Sequence, residues 1–357
     1  MNWPMVITAL AASLAVSLVT VRPAIALAQR LQLVDLPGRH KRHRRPVPYV
    51  GGVVLFAAVW LAVVISFLFF PDALKELKSS LLYVFAGALI IFLVGFADDL
   101  VSLSAWTKLA AQAAAGLVLF LGGMAIDPVT IPFMGSYEIG RLSVVITVAW
   151  VIMLTNAINL IDGLDGLATG VSLIAGLALS AIGTLYAAGS AVLFTNALVG
   201  FLIVFLYYNR YPARIFLGDS GSLQIGYYFA VISLLVPIRS YTAAALYLPL
   251  LALGVPLMET GISFSRRLIS GRNVMKADRR HLFHYLSLAG LSPRSVVWIF
   301  YSLSAVFGGF ALAMFFLNRL VVFGLLVLFM VVISGLFLIF MARLSRPERG
   351  RRAKKSE

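Results

Sequence analysis

Apolar residues in this chain are gathered into eleven long runs, and nearly all ionisable side chains fall in the breaks between them. A bilayer's hydrocarbon core is spanned by about 20 apolar residues in helical form. The runs therefore predict helices over 4–28, 50–70, 79–97, 106–124, 143–160, 166–186, 190–208, 219–237, 241–264, 295–316 and 320–342. The expected fold is an all-α polytopic membrane protein of about 11 transmembrane helices. The first run has no Lys or Arg ahead of Arg22 and is too long for a secretory signal, so it reads as a retained span. Residues 1–342 then form a single transmembrane domain, followed by a basic tail over 343–357. Between the fourth and fifth runs, Ala125 to Leu142 contains Asp127-Pro128, Ile131-Pro132 and Gly135, which predict a short hairpin.

Composition agrees with that class: 61% of the 357 residues are hydrophobic and only 12% are charged. The absence of cysteine excludes disulfides, thiol catalysis and thiolate-bound metal. Charge distribution gives the orientation. Of 29 Lys and Arg residues, only Lys75, Lys78, Arg141, Arg239 and Arg319 lie on one side, and Arg22 is inside the first helix. The other 23 lie in the loops 29–49, 98–108, 207–218 and 265–294 and in the tail. Basic loops stay cytoplasmic, so the N-terminus is expected outside and the C-terminus inside. The net charge of +15 thus requires no nucleic acid, and the tail is suited to anionic lipid.

Five of the fourteen acidic residues occur in three short motifs set against apolar runs: Asp98-Asp99, Asp162-Gly-Leu-Asp165-Gly and Phe216-Leu-Gly-Asp219. A charge at a bilayer centre costs at least about 2.5–3.5 kcal/mol, so acids in such settings point to function. With the predicted topology, all three motifs and the His281/His284 segment fall on the cytoplasmic face. Adjacent helical residues diverge by about 100°, so Asp98 and Asp99 are expected to have separate roles. One suits a base or cation partner, and the other suits orientation of a lysine or of the helix end. In Asn156-Ala-Ile-Asn159-Leu-Ile-Asp162-Gly-Leu-Asp165, helical geometry makes Asn156 and Asn159 neighbours, while Gly163 and Gly166 predict a broken helix end that turns both carboxylates into one cleft. Asp219, at the start of the eighth helix, is placed either to cap exposed amides or to bind a metal. In the last loop His281 and His284 are three apart among cations, an arrangement suited to a diphosphate.

These residues together resemble the polyprenyl-phosphate N-acetylhexosamine-1-phosphate transferase family. The resemblance rests on Pro48-Tyr-Val-Gly51-Gly52 after a basic stretch, Asp98-Asp99, Asn156-x-x-Asn159-x-x-Asp162-Gly-x-Asp165-Gly, Asn209 ten residues before Asp219, Phe216-x-Gly-Asp-x-Gly-Ser and the histidine loop. It implies a Mg2+-dependent membrane enzyme, with Mn2+ as a substitute, that transfers a sugar-1-phosphate from a UDP-sugar to undecaprenyl or another polyprenyl phosphate and releases UMP. It also implies a bacterial cytoplasmic-membrane location, a cytoplasmic active site and a part in cell-surface glycan synthesis. Membrane lipids are further partners, and self-association is compatible with the pattern.

By that resemblance, Asp98, Asp99, Lys108 and Asp219 are the catalytic set, and Asp219 and Asn159 are the metal ligands. Phe216 is the stacking partner of uracil, with Asp165, Asp162 and Asn156 beside it. Arg279, His281, His284 and Asn209 hold the sugar diphosphate, and Asp98 and Arg45 the lipid phosphate. Relatives using N-acetylglucosamine typically carry His-Ile-His-His where this chain has His281-Leu-Phe-His284, and the peptidoglycan enzyme carries three adjacent histidines. N-acetylglucosamine is the first expectation for the donor sugar. A transporter of an anionic or lipid-linked substrate is the competing class, but its acids belong near the midplane and often accompany internal repeats. Here the acids share one face, and no repeat is visible.

Overall fold

The computed structural model describes residues 2–37, 45–127, 129–131, 135–236, 244–269 and 282–344. Its helices are α1 Trp3–Arg30, α2 Gly51–Phe69, α3 Lys78–Val101, α4 Ala105–Leu121, α5 Leu142–Ile161, α6 Leu167–Leu185, α7 Gly189–Asn209, α8 Gly218–Leu235, α9 Ala244–Ala252, α10 Gly254–Ile269, α11 Leu282–Leu288, α12 Pro293–Phe316 and α13 Arg319–Leu344. Two antiparallel hairpins are added: β1 Val34–Asp35 with β2 Val47–Pro48, and β3 Val129–Ile131 with β4 Gly135–Tyr137. The second lies in the segment where the turn residues predict it.

Among the described residues eight helices, α1, α2, α3, α5, α6, α7, α12 and α13, are long and apolar enough to cross a bilayer, so the chain is a polytopic membrane protein. Helix α4 is shorter, at 17 residues. The run expected as one helix over 241–264 is divided into α9 and α10 on either side of Leu253. Proline explains the break: Pro249 lies inside α9, and Pro256 at the start of α10 has no N–H to continue the preceding helix.

Helix α8 carries more polar residues than its neighbours, yet Ser220 to Ser233 are all buried because α2, α3, α5 and α7 surround them. Lipid tails provide no hydrophobic drive between helices, so close packing and interhelical hydrogen bonds hold such a bundle together. Gln224 Nε2 donates to Gly52 O at 3.0 Å, Tyr227 Oη to Val84 O at 2.9 Å, and Trp150 Nε1 to Ser233 Oγ at 2.8 Å. Two glycines allow α8 to be approached closely. A Cβ on Gly52 of α2 would lie 2.6 Å from Gly221 N, and one on Gly95 of α3 would lie 2.5 Å from Ser220 Cα. The backbone of the α2 entrance also pairs with the segment before α8: Phe216 N donates to Pro48 O at 2.7 Å, and Gly51 N to Phe216 O at 3.1 Å.

Gly52→Val is expected to force α2 and α8 apart and cost about 1–3 kcal/mol of stability. Thermal unfolding in detergent should show a lowered midpoint for this variant and an unmoved one for Gly309→Ala, where a Cβ meets nothing within 4 Å. An unchanged midpoint for Gly52→Val would contradict this packing.

Candidate active site

The first turn of α8 is capped from another helix. Leu217, at its N-cap, makes no side-chain capping bond, and the exposed amides are met by Asp99 at the end of α3. Asp99 Oδ1 accepts from Asp219 N at 2.7 Å, while Oδ2 accepts from Ser220 N at 3.1 Å and Ser220 Oγ at 2.7 Å. A carboxylate here also suits the positive end of the helix dipole. Gly218 has φ +70°, a left-handed conformation, and a Cβ on it would lie 2.5 Å from Asp99 Oδ2. Glycine at this place in Phe-Leu-Gly-Asp is therefore required twice over, by backbone angle and by the approach of Asp99.

With its amide held by Asp99, Asp219 directs its own carboxylate elsewhere. Lys108 Nζ donates to Asp219 Oδ2 at 2.8 Å and to Asp98 Oδ2 at 3.0 Å, so one ammonium bridges two helices' carboxylates. Local sequence sets this up. Ser102 ends α3 in the left-handed conformation, Asp98 Oδ1 accepts from Leu103 N at 2.6 Å, and Ser104 caps α4 through Thr107 N. The tight turn brings Lys108, in the first helical turn of α4, back over Asp98. Asn159 of α5 donates through Nδ2 to Ser222 Oγ at 2.9 Å, one turn along α8 from Asp219.

On another side of Asp219 a cavity of about 1560 Å³ opens, lined in part by Asp162, Asp165, Phe216, Asp99 and His284. Its floor is the broken end between α5 and α6. Asn209, only 3% exposed, locks that floor: its Oδ1 accepts from Gly166 N and Thr169 Oγ1, and its Nδ2 donates to Ile215 O. Asp165 Oδ2 accepts from Ala213 N at 2.9 Å, joining the floor to the loop before α8. Asp162 has no hydrogen-bond donor at its carboxylate among the described residues. Burial, followed by the negative charges of Asp219, Asp99 and Asp165, pushes its carboxyl up to about 8. Tyr49, beside the α2 entrance, is also raised, by burial and then by Asp99 and Asp35.

The structure thus brings Asp98, Asp99, Lys108, Asn159 and Asp219 into one cluster, and Phe216, Asp162, Asp165, His284 and Arg45 around the adjoining cavity. Four of the expected site residues are placed as follows. Asp99 caps α8, and its oxygens are occupied by Asp219 and Ser220. Asn156 donates to Gln112 Oε1 at 2.6 Å in α4 and does not line the cavity, because its helical neighbourhood with Asn159 is offset toward α4. Asn209 lines the cavity, with its Oδ1 accepting from Gly166 N and Thr169 Oγ1 and one Nδ2 hydrogen donated to Ile215 O. Arg45 lines the cavity with Phe216 and Asp219. Arg279 and His281 lie outside the described residues. Arg22 and Tyr208, which also line the cavity and are joined by a 3.2 Å bond from Arg22 Nε, went unassigned in the sequence; a cation inside an apolar run was the available signal.

Two carboxylates sharing one ammonium, beside a wide anionic and aromatic cavity, suit positioning and charge control in phosphoryl chemistry. Residues 81–236 match the family model described as glycosyl transferase family 4. The chain is 33% identical over 331 residues to the probable undecaprenyl-phosphate N-acetylglucosaminyl 1-phosphate transferase of Bacillus subtilis, covering 89% of each chain. It is 34% identical over 307 residues to the decaprenyl-phosphate N-acetylglucosaminephosphotransferase of Mycobacterium tuberculosis, covering 78% of this chain and 75% of the relative. With the phospho-N-acetylmuramoyl-pentapeptide-transferase of Heliobacterium modesticaldum it shares 32% identity over 297 residues, 78% of this chain and 87% of the relative. The similarity covers most of the chain, and the chain belongs to the polyprenyl-phosphate N-acetylhexosamine-1-phosphate transferase family.

Proposed function

We propose that this protein transfers a sugar-1-phosphate, first of all N-acetylglucosamine-1-phosphate, from a UDP-sugar to undecaprenyl or another polyprenyl phosphate. The observation that carries this reading is the position of Asp219, which joins the cavity lined by Phe216, Asp162 and Asp165 to the Asp98–Lys108 pair. A soluble nucleotide sugar fills the cavity, and a membrane-held phosphate approaches Asp98 and Lys108. The family names of the relatives support the same substrates.

An oxygen of the lipid phosphate attacks the β-phosphorus of the donor. The new P–O bond forms as the bond from that phosphorus to its bridging oxygen breaks, and UMP leaves with that oxygen. The acceptor is already an anion, so direct displacement needs no aspartyl intermediate. Asp98 takes any remaining proton from the lipid phosphate and holds Lys108, whose ammonium offsets the charge of the meeting phosphates. Phe216 stacks on the base, Asp165 accepts from it through its free oxygen, and Asp162 completes that wall. Arg45 and His284 meet the anionic part of the donor, joined by Arg279 and His281.

The donor set also fits a divalent cation. Among the described residues there is no cluster of three or more His, Cys, Asp or Glu side chains, whereas Mg2+ typically uses only one or two carboxylates and completes its shell with water and substrate phosphate. Asp219 supplies such a carboxylate, and Asn159, held near it by its Nδ2 bond to Ser222, would contribute its amide oxygen. Bound there, Mg2+ or Mn2+ supplies charge neutralisation of the diphosphate. The same reading has eleven crossings, an outer N-terminus, a cytoplasmic C-terminal tail and the site at the cytoplasmic face of a bacterial inner membrane. Residues 1–342 form the catalytic domain, whose lipid-linked product starts a cell-surface glycan.

Purified protein should release UMP from one member of a UDP-sugar panel only when polyprenyl phosphate and Mg2+ are both present, and EDTA should stop the release. Counterflow of substrate without UMP would instead support a transporter. Phe216→Ala is expected to raise the donor KM by about 5- to 150-fold, the equivalent of about 1–3 kcal/mol of base stacking, with the acceptor KM unchanged. Equal effects on both KM values would remove Phe216 from the nucleotide site. Asp98→Asn, which keeps an acceptor for Leu103 N, should abolish turnover with little change in thermal midpoint, whereas Asp99→Ala should lower both. Equal midpoints for these two variants would contradict their different roles.

A further inference from the structure

Glu259 is the only charged side chain among the described residues that is fully buried, at 0% exposure, and it belongs to none of the acidic motifs. It sits in α10, beyond the break at Leu253, in a helix packed against α5 and α12. A carboxylate enclosed within a membrane bundle is maintained at a cost and calls for a partner. Glu259 Oε1 accepts from Leu282 N at 2.8 Å, a bond across 23 residues that reaches the first residue of α11.

The next residue of α11 is fastened by a different means. Phe283 is 2% exposed, and its ring lies on Gly163 in the floor of the cavity; a Cβ added to Gly163 would collide with that ring. The Phe283 side chain thus docks the helix on the cavity floor. The residue after it, His284, lines the cavity, with its ring centroid 4.4 Å from that of Phe283. Two anchors on consecutive residues, one polar and one apolar, fix the direction in which the third faces.

We infer that Glu259 is a positioning residue: by holding Leu282 N it sets α11 so that His284 meets the anionic part of the donor. This rests on the proposed role of the cavity. It also gives α10 a task in the reaction, because any displacement of that helix against α5 is passed to His284 through the Glu259 bond. A bond from an amide to a charged acceptor is stronger than one between neutral groups, which suits a tether spanning two helices.

Hydrogen–deuterium exchange of the full chain in nanodiscs tests the tether without reference to activity. Glu259→Ala should accelerate exchange in the peptide covering Leu282 to Leu288 and leave α2 and α8 protected, while Glu259→Gln, which retains a carbonyl acceptor, should keep most of the protection. Gly163→Ala, which displaces Phe283, should expose the same peptide by the other anchor. Protection unchanged in both Glu259→Ala and Gly163→Ala would overturn the inference. In kinetics, Glu259→Ala should raise the donor KM roughly tenfold or more, the size of effect for a lost hydrogen bond to a charged group, and leave the acceptor KM in place. It should add nothing further in a His284→Ala background, whereas additive losses would show that Glu259 does not act through His284. Altered exchange in a protein that consumes no UDP-sugar would retain the tether and overturn the functional reading instead.

Discussion

The site depends first on a helix end capped by its neighbour. Asp99 of α3 receives two amides and a hydroxyl from the first turn of α8, and this fixes both the position of that turn and the direction of the Asp219 side chain. Close approach is permitted because Gly52, Gly95 and Gly218 leave no Cβ in the way. If α8 were capped by its own sequence, α3 would have no reason to lie at this distance, and Asp98 would not share Lys108 with Asp219. Two adjacent acids thus divide the work: Asp99 caps α8, and Asp98 holds Lys108.

From this follows a site with two approaches. Asp219 joins a broad cavity that reaches under α11 to the cluster at the α3–α4 turn. A water-soluble donor and a membrane-held acceptor need separate routes to one phosphorus atom, and an enzyme that joins them gains chiefly from positioning and charge neutralisation. The cavity's outer wall is also held at a distance from the reacting centre. Asn209 and Asp165 fasten its floor, while Glu259 and Phe283 fasten the helix that closes over it.

Much of this was legible in the sequence because a membrane span has a minimum length and because acids are rare within apolar runs. Ten of the eleven expected runs coincide with a single helix, and the acidic motifs meet. The division of the remaining run at Leu253 was signalled by Pro249 and Pro256 but hidden by continuous apolarity. Side-chain duties were less accessible. Helical angles separated Asp98 from Asp99, yet only the packing of α3 against α8 reveals which one caps. Asn209 stands in a motif close to the acids, but bonds received from Gly166 and Thr169 and one donated to Ile215 O make it a staple. Glu259 had no motif at all, since its partner is 23 residues away.

The central claim is that the sugar crosses together with its phosphorus, at the junction marked by Asp219. A donor carrying radioactive phosphorus at the β position tests it most directly when incubated with polyprenyl phosphate and the products are separated into lipid and aqueous fractions. The account predicts that the label enters the lipid with the sugar while unlabelled UMP accumulates, and that Asp219→Ala prevents both. Sugar arriving in the lipid while the label remains in UDP would contradict it.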